Sequence, residues 1–326
     1  MSNDTRSNDT FTAKRSRQVC HSVMEAIGNT PAVRLARLFA HKPEVEIIAK
    51  LEYMNPSGSI KDRMVRYMLK HARENGKLDA KRVVESSSGN TGAALAMACA
   101  VHKFGCEISV PDRTSVEKIK RIGAYGAKVH ACPADLPSHH AESYHSKAEI
   151  LAEETGAFHL DQYRSGLNRE AHYFDTAPEL WEQLSGRLDY FVCGIGSGGT
   201  ISGIGKYLKE RNPKIRVIGV EPNGSAYSST IGSSVSNNGF RTIIEGVGKQ
   251  SPSESFDASV IDDVIQVPDT LSLEYCHRLA RDEGILAGGS SGSVTAGVAK
   301  LLEQVNRGRI VTIFPDSGAF YLSKYF

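Results

Sequence analysis

What this sequence has little of narrows it first. Lys plus Arg number 39 and Asp plus Glu 37, a formal net charge of +2. Neither a basic groove for nucleic acid nor a polybasic membrane patch is therefore expected. No apolar run approaches the roughly 18 residues that a membrane-spanning helix needs. Residues 1–20 lack an apolar signal core, repeat Ser-Asn-Asp-Thr and read as a disordered tail. Lys14, Arg15 and Arg17 are the one feature of that tail a targeting role would use. The six cysteines, Cys20, Cys99, Cys106, Cys132, Cys193 and Cys276, include no Cys-x-x-Cys pair. Cys99 and Cys193 lie in apolar segments as small core residues. A reduced, cytoplasmic location is the default. His139, His140 and His145 surround Glu142 without the i, i+4 spacing of a helical zinc site. They read as solvated surface, and no metal is expected.

What is present is an alternation. Short apolar runs at 45–51, 82–85, 107–110, 128–131, 190–193, 216–220 and 310–314 read as buried strands. Helical patterns at 92–102, 115–125, 146–155, 176–185 and 201–211 fall between them. That order argues for an α/β protein with mostly parallel sheets flanked by helices, and 326 residues suggest roughly two domains. The Ser-, Asn- and Gly-rich stretch 224–239 reads as a mobile surface loop.

One lysine is out of place. Lys61 closes the run Asn55-Pro56-Ser57-Gly58-Ser59-Ile60-Lys61, and the residues after it to about Glu74 form an amphipathic helix with Met64, Tyr67, Met68 and His71 on one face. Ser57 or Ser59 can cap that helix, and Asp62 suits its first turn. An ammonium does not suit it, because a helix N-terminus is partially positive. The same field lowers the lysine pKa and favours the neutral amine that attacks a carbonyl. An isolated lysine of this kind would be ordinary surface. The small-residue turn before it makes it a candidate imine-forming lysine.

Gly194-Ile195-Gly196-Ser197-Gly198-Gly199-Thr200 follows the strand at 190–193 and opens the helix at 201–211. Glycines there let the backbone approach an anion, and the helix N-terminus supplies N–H donors, so a phosphate belongs at this loop. Gly194, Gly196 and Gly199 also satisfy Gly-x-Gly-x-x-Gly, and Glu221 sits where a ribose-binding acid would. A nicotinamide dinucleotide, and with it an NAD-dependent dehydrogenase, is a legitimate competitor. A Walker A loop is not, since Thr200 and Tyr207 stand where Gly and Ser or Thr are required. Two more loops, Ser86-Ser87-Ser88-Gly89-Asn90-Thr91-Gly92 and Gly288-Gly289-Ser290-Ser291-Gly292-Ser293, each read alone as helix caps. Together with Lys61 they offer a phosphate cradle, an imine lysine and several neutral donors. That set suits pyridoxal phosphate, whereas a dinucleotide leaves Lys61 and the Ser87 loop without a task.

These residues resemble the cysteine synthase and cystathionine β-synthase family of pyridoxal-phosphate enzymes, fold type II, also called tryptophan synthase β-like. The similarity runs from Ile27-Gly28-Asn29-Thr30-Pro31 to Pro315-Asp316-Ser317-Gly318. It includes the Lys61 segment, Ser88-Gly89-Asn90-Thr91-Gly92, the 196–200 cradle and Glu283-Gly284-Ile285-Leu286-Ala287-Gly288. The resemblance implies two domains, the larger from 21–55 and 165–326 and the smaller, mobile one from 56–164. It implies that Lys61 forms the imine and moves protons, and that Asn90 bonds the cofactor phenolic oxygen. Gly196, Ser197, Gly198, Gly199 and Thr200 would hold the phosphate, and Ser290 would face the pyridine nitrogen. Ser87, Ser88, Thr91 and Gln162 would grip the substrate carboxylate, with Gly246 near the entrance. For Gln162 and Gly246 plain loop structure is the competing explanation. A homodimer acting on small amino-acid substrates is implied as well.

A hydroxyl at the pyridine nitrogen makes a weaker electron sink than a carboxylate partner would. The expectation is β-replacement on serine or an O-activated serine through an aminoacrylate, with a sulfur nucleophile added at Cβ. Asp161-Gln162-Tyr163-Arg164 and the 288–293 loop resemble the cystathionine β-synthase pattern more than that of plain cysteine synthases. The sequence matches neither the C-terminal regulatory domain nor the haem-binding extension of some members, although Cys20-His21 lies in the tail region. Leu51-Glu52-Tyr53-Met54-Asn55-Pro56 resembles relatives that build 2,3-diaminopropionate precursors from O-phosphoserine. Sulfide, homocysteine and an amine remain open as acceptors. A non-catalytic binding relative and a deaminating β-eliminase are the other readings weighed.

Overall fold

The computed structural model describes residues 19–87, 89–134, 136–137, 140–232 and 240–326. Most of the expected tail, Ser88, His139 and residues 233–239 of the expected loop lie outside the described residues.

The chain builds two sheets. The larger one contains β1 (Ala32–Arg34), β2 (Val45–Leu51), β7 (Tyr190–Gly194), β8 (Arg216–Pro222), β9 (Asp263–Val267) and β10 (Gly308–Phe314), in the order β1-β2-β10-β7-β8-β9. All its neighbours run parallel except β1, which is antiparallel to β2. The smaller sheet is wholly parallel, in the order β5-β4-β3-β6: β3 (Arg82–Ser86), β4 (Gly105–Pro111), β5 (Lys128–Cys132) and β6 (Phe158–His159). The chain thus starts in the large sheet, builds the small one and returns.

All seven runs expected as strands are strands. The three not expected, β1, β6 and β9, are sheet edges with partly exposed side chains. They lack the continuous apolar run that burial on both faces writes into a central parallel strand.

The helices are α1 (Lys61–Glu74), α2 (Asn90–His102), α3 (Val116–Ala124), α4 (Tyr144–Thr155), α5 (Leu167–Ala171), α6 (Ala177–Gln183), α7 (Gly199–Arg211), α8 (Asp269–Glu283), α9 (Gly289–Leu301) and α10 (Leu322–Tyr325). One π-helical turn, His172–Thr176, joins α5 to α6. Two apolar clusters pack the faces of the large sheet, one beneath α8 and α9, the other beneath α6 and α7. A third fills the space between α1, α2 and the small sheet. Cys99 and Cys193 are buried in these cores. None of the described helices is long and apolar enough to cross a membrane.

Part of the segment expected as a mobile loop is instead packed. Ser225, Ala226, Tyr227 and Ser228 are buried, and the Tyr227 hydroxyl donates to the Gly196 carbonyl at 2.5 Å. His145 also leaves the solvated surface expected for it. Its ring lies tilted 4.0 Å from that of Tyr144 and meets Tyr163 edge-on at 5.2 Å.

Candidate active site

Strand ends converge on one cleft. The carboxyl ends of β7 and β10 and the starts of α1, α7 and α9 face it, the usual ligand side of an open parallel sheet. Lys61, Asn90, Gly196, Ser197, Gly198, Thr200, Gly246 and Ser290 all line it. Gly199 opens α7 directly behind the loop.

Lys61 is the first residue of α1. Its backbone N–H donates to Ser59 Oγ at 3.3 Å, and the preceding Ile60 N–H donates to the Pro315 carbonyl at 2.8 Å. Asp62 takes the other serine: Ser57 N–H donates to its carboxylate at 2.7 Å, as does the Ser57 hydroxyl. The turn before Lys61 is therefore fastened at both serines and to the end of β10. Burial lowers the Lys61 pKa, against the raising effect of Cys193, Asp316 and Glu85. The direction is the expected one, and burial is its main cause.

The glycine loop is shaped by close approach. A Cβ on Gly196 would stand 2.2 Å from the Gly246 carbonyl oxygen. Gly198 has φ +84°, and its Cβ would meet Phe256 at 2.6 Å. Ser197 accepts from Asn168 Nδ2 at 3.0 Å, and its carbonyl accepts from Ser253. Thr200 Oγ1 is hydrogen-bonded to His172 Nε2 at 3.1 Å. His172 is buried and held neutral by that burial and by the fields of Lys61 and Arg63. The loop thus presents backbone and hydroxyl groups at a helix N-terminus, the donor set a phosphate requires.

Asn90 is held in a buried charged cluster. Its Nδ2 donates to Asp316 at 2.7 Å, and its Oδ1 accepts from Arg121 at 3.1 Å. Asp316 also accepts from the Tyr321 hydroxyl at 2.5 Å, and Lys118 donates to Tyr321 and to Glu245. The Arg121 guanidinium lies 3.6 Å over the Phe320 ring. Ser290, the second residue of α9, is 4% exposed at the opposite wall.

Of the expected substrate residues, Gly246 lines the cleft, whereas Ser87, Thr91 and Gln162 are outside its lining, and Thr91 binds Gln162. Ser87 Oγ accepts from Gly89 N–H and Gly92 N–H, both at 3.0 Å, and so shapes the start of α2. Thr91 Oγ1 donates to Gln162 Oε1 at 2.7 Å, and Gln162 Nε2 donates to the Ser86 carbonyl at 3.1 Å. Beneath them Glu85 is buried, and burial with the nearby Asp161 charge pushes its pKa up to about 8. Glu221, the acid of the dinucleotide reading, is fully buried. It already accepts from Tyr227 N–H and Ser228 N–H at 3.0 Å each, so Glu221 is not free to bind a ribose. Sequence reasoning gave no role to Asn168, His172, Arg121 or Tyr227. Only the proline-aspartate motif at the end of β10 marked Asp316 in advance.

The donor set fits pyridoxal phosphate: an amine of lowered pKa, a phosphate cradle closed to any side chain at Gly196, and a neutral hydroxyl across the cleft. Comparison with known proteins agrees. The family described as pyridoxal-phosphate dependent enzyme matches residues 23–316. Cystathionine β-synthase of Apis mellifera is 40% identical over 94% of this chain and 62% of its own length. That of Saccharomyces cerevisiae is 38% identical with the same coverage, so the chain spans about three-fifths of these relatives. N-(2-amino-2-carboxyethyl)-L-glutamate synthase of Cupriavidus metallidurans is 36% identical over 93% of this chain and 89% of that protein. The crystal structure of O-ureido-L-serine synthase superposes with a TM-score of 0.87 at 33% identity, covering 94% of this chain and 95% of that one. By sequence and by architecture, the chain belongs to the pyridoxal-phosphate-dependent enzymes of fold type II.

Proposed function

We propose that this protein catalyses β-replacement on serine or an O-activated serine, with Lys61 as imine-forming residue and proton carrier. The observation that carries the reading is the convergence of Lys61, the 196–200 loop and the Ser290 hydroxyl on one cleft. When bound, pyridoxal phosphate supplies a carbonyl for the amine and an electron-withdrawing ring. Gly196, Ser197, Gly198, Gly199 and Thr200 hold the phosphate, and His172 orients the Thr200 hydroxyl. Asn90, fixed by Arg121 and Asp316, holds the phenolic oxygen. Ser290 meets the pyridine nitrogen without forcing a proton onto it.

Ser87, Ser88, Thr91 and Gln162 hold the substrate carboxylate, and Gly246 flanks the entrance. The Lys61 amine would take the Cα proton. The Cβ–O bond breaks, and the oxygen leaves with its acyl, phosphoryl or hydrogen substituent. A bond from Cβ to the nucleophile then forms, and Lys61 returns its proton to Cα. The small-sheet unit, 56–164, closes over substrate against a large unit of 21–55 and 165–326. A homodimer located in the cytoplasm completes the proposal.

A sulfur nucleophile is the first reading, supported by similarity to the cystathionine β-synthases. Amine addition is the second, supported by similarity to the Cupriavidus synthase along nearly its whole length. The Lys61→Ala variant tests the common core. It should lose the visible imine absorbance and all turnover with serine, O-acetylserine and O-phosphoserine. Turnover equal to the wild type would overturn the assignment.

A further inference from the structure

The cleft region carries a second lysine that the scheme above does not use. Lys249 follows the turn Gly246-Val247-Gly248, which forms part of the cleft wall. Its backbone is fixed: the N–H donates to Ser225 Oγ at 3.1 Å, the carbonyl accepts from Ala226 N–H at 3.0 Å, and Gly248 N–H donates to the Ile195 carbonyl at 2.8 Å. The side chain reaches the Tyr163 ring, with Nζ 3.8 Å from its centre. Tyr163 directly follows Gln162, which holds Thr91. Lys249 therefore spans the gap between the loop at Gly246 and the loop at Gln162.

Its electrostatic setting is unusual. Among the described residues no carboxylate pairs with Nζ and no acceptor receives its protons. The ring face is its one partner. Burial, and then the charge of Lys61, push its pKa down to about 8. Two other cations near the cleft do have carboxylate partners: Lys118 pairs with Glu245, and Arg63 with Glu52 and Glu179. An uncompensated ammonium facing a second lysine is costly to retain, and an anionic ligand removes that cost.

We propose that Lys249 is the anion anchor on the Cβ side of the cleft, so that a co-substrate of this enzyme carries a carboxylate or phosphate that the Lys249 ammonium receives. This rests on the β-replacement reading and adds a substrate class to it. The acceptor is a nucleophile bearing its own carboxylate, in preference to a small uncharged one. A phosphate leaving group is the other source of the same chemistry.

The test uses the holoenzyme with Lys249→Met, Lys249→Glu and Lys249→Arg variants. In one arm, serine is the donor, and 3-mercaptopropionate is compared with the uncharged 2-mercaptoethanol. In the other, O-phospho-L-serine is compared with O-acetyl-L-serine. Calorimetric titration with glutarate, which contains no nucleophile, supplies a readout independent of turnover. The kcat/KM ratio of charged to uncharged partner should fall at least tenfold in Lys249→Met, carried by KM, fall further in Lys249→Glu and recover in Lys249→Arg. Glutarate affinity should follow the same order. A drop in the thiol arm identifies the acceptor as the anion; a drop in the donor arm identifies the leaving group. Ratios within twofold of the wild type in both arms, with unchanged glutarate affinity, would overturn the proposal and leave Lys249 a clamp on Tyr163. If the wild-type holoenzyme converts no donor with any thiol, the β-replacement reading fails, and the glutarate titration still decides whether Lys249 binds an anion.

Discussion

A methyl group at Gly196 would press against the Gly246 carbonyl, whereas one at Gly246 would meet nothing within 4 Å. The two glycines therefore have different reasons to be glycine. At Gly246 the reason is φ +87°, a strain of about 1 kcal/mol for an L-residue. At Gly196 the loop itself must open. Gly196→Ala should weaken pyridoxal phosphate binding more than tenfold, and Gly246→Ala by much less, as measured by fluorescence titration of the apoprotein. Equal effects would show that the cradle tolerates displacement. At this scale the sequence was legible where the chemistry sits in consecutive residues, as in the turn before Lys61 and the 194–200 loop. It was silent where a neighbour arrives from far along the chain. Asn168 reaches Ser197, Arg121 reaches Asn90 and Lys249 reaches Tyr163, and no local pattern marks those pairs.

The helix that begins with Lys61 is also held by a buried ion-pair network at Arg63 in its first turn. Arg63 is fully buried, with Nε donating to Glu52 at 2.8 Å and Nη1 to Glu179 at 2.8 Å. Lys50 of β2 joins at 2.5 Å from Glu179. Burial alone would raise the Glu179 pKa, but Arg63 and Lys50 overcome it and hold the carboxyl at about 2, below its ordinary 4.5. Its stabilising contribution is therefore complete above about pH 4.5 and fades as pH falls toward 2. Glu179→Gln should cost about 3 kcal/mol in urea unfolding at pH 7 and flatten the acid limb of the stability profile. An unchanged limb would place the acid sensitivity elsewhere. The amphipathic face of α1 was readable from Met64 and Met68, but the burial of Arg63 was not, because a charged residue reads as solvent-facing until its partners are known. Edge strands escaped for the complementary reason: β1, β6 and β9 are too short or too exposed to write a pattern.

Across the whole molecule, polar contacts at the cleft help join the two sheet units. Lys118, on α3 of the small-sheet unit, is buried and donates to Glu245 at 2.8 Å and to the Tyr321 hydroxyl at 2.5 Å, both from the large-sheet unit. Removing this cation takes one of two lysine partners from Glu245, Lys324 remaining at 2.8 Å, and removes the ammonium 3.9 Å from buried Asp316. Lys118→Met should lower unfolding stability by about 3 kcal/mol and raise the KM for the amino-acid donor more than it lowers kcat. A loss of stability with KM unchanged would make the contact purely structural. The α/β class and the order of the parallel strands' runs were legible from alternation alone. The split of those strands into two sheets came to the sequence reading through family resemblance, since periodicity does not say which strands pair.

The single π turn between α5 and α6 sets a length standard inside the protein. Asn168 near one end of this continuous helix steadies the phosphate loop, and Glu179 near the other end steadies the helix that starts at Lys61. One residue more or fewer in between would rotate one end against the other by about 100° and shift it by about 1.5 Å. Homologous proteins should therefore admit no insertion or deletion along 170–177, and a one-residue deletion should misalign lysine and phosphate loop even where every residue of the candidate site is retained.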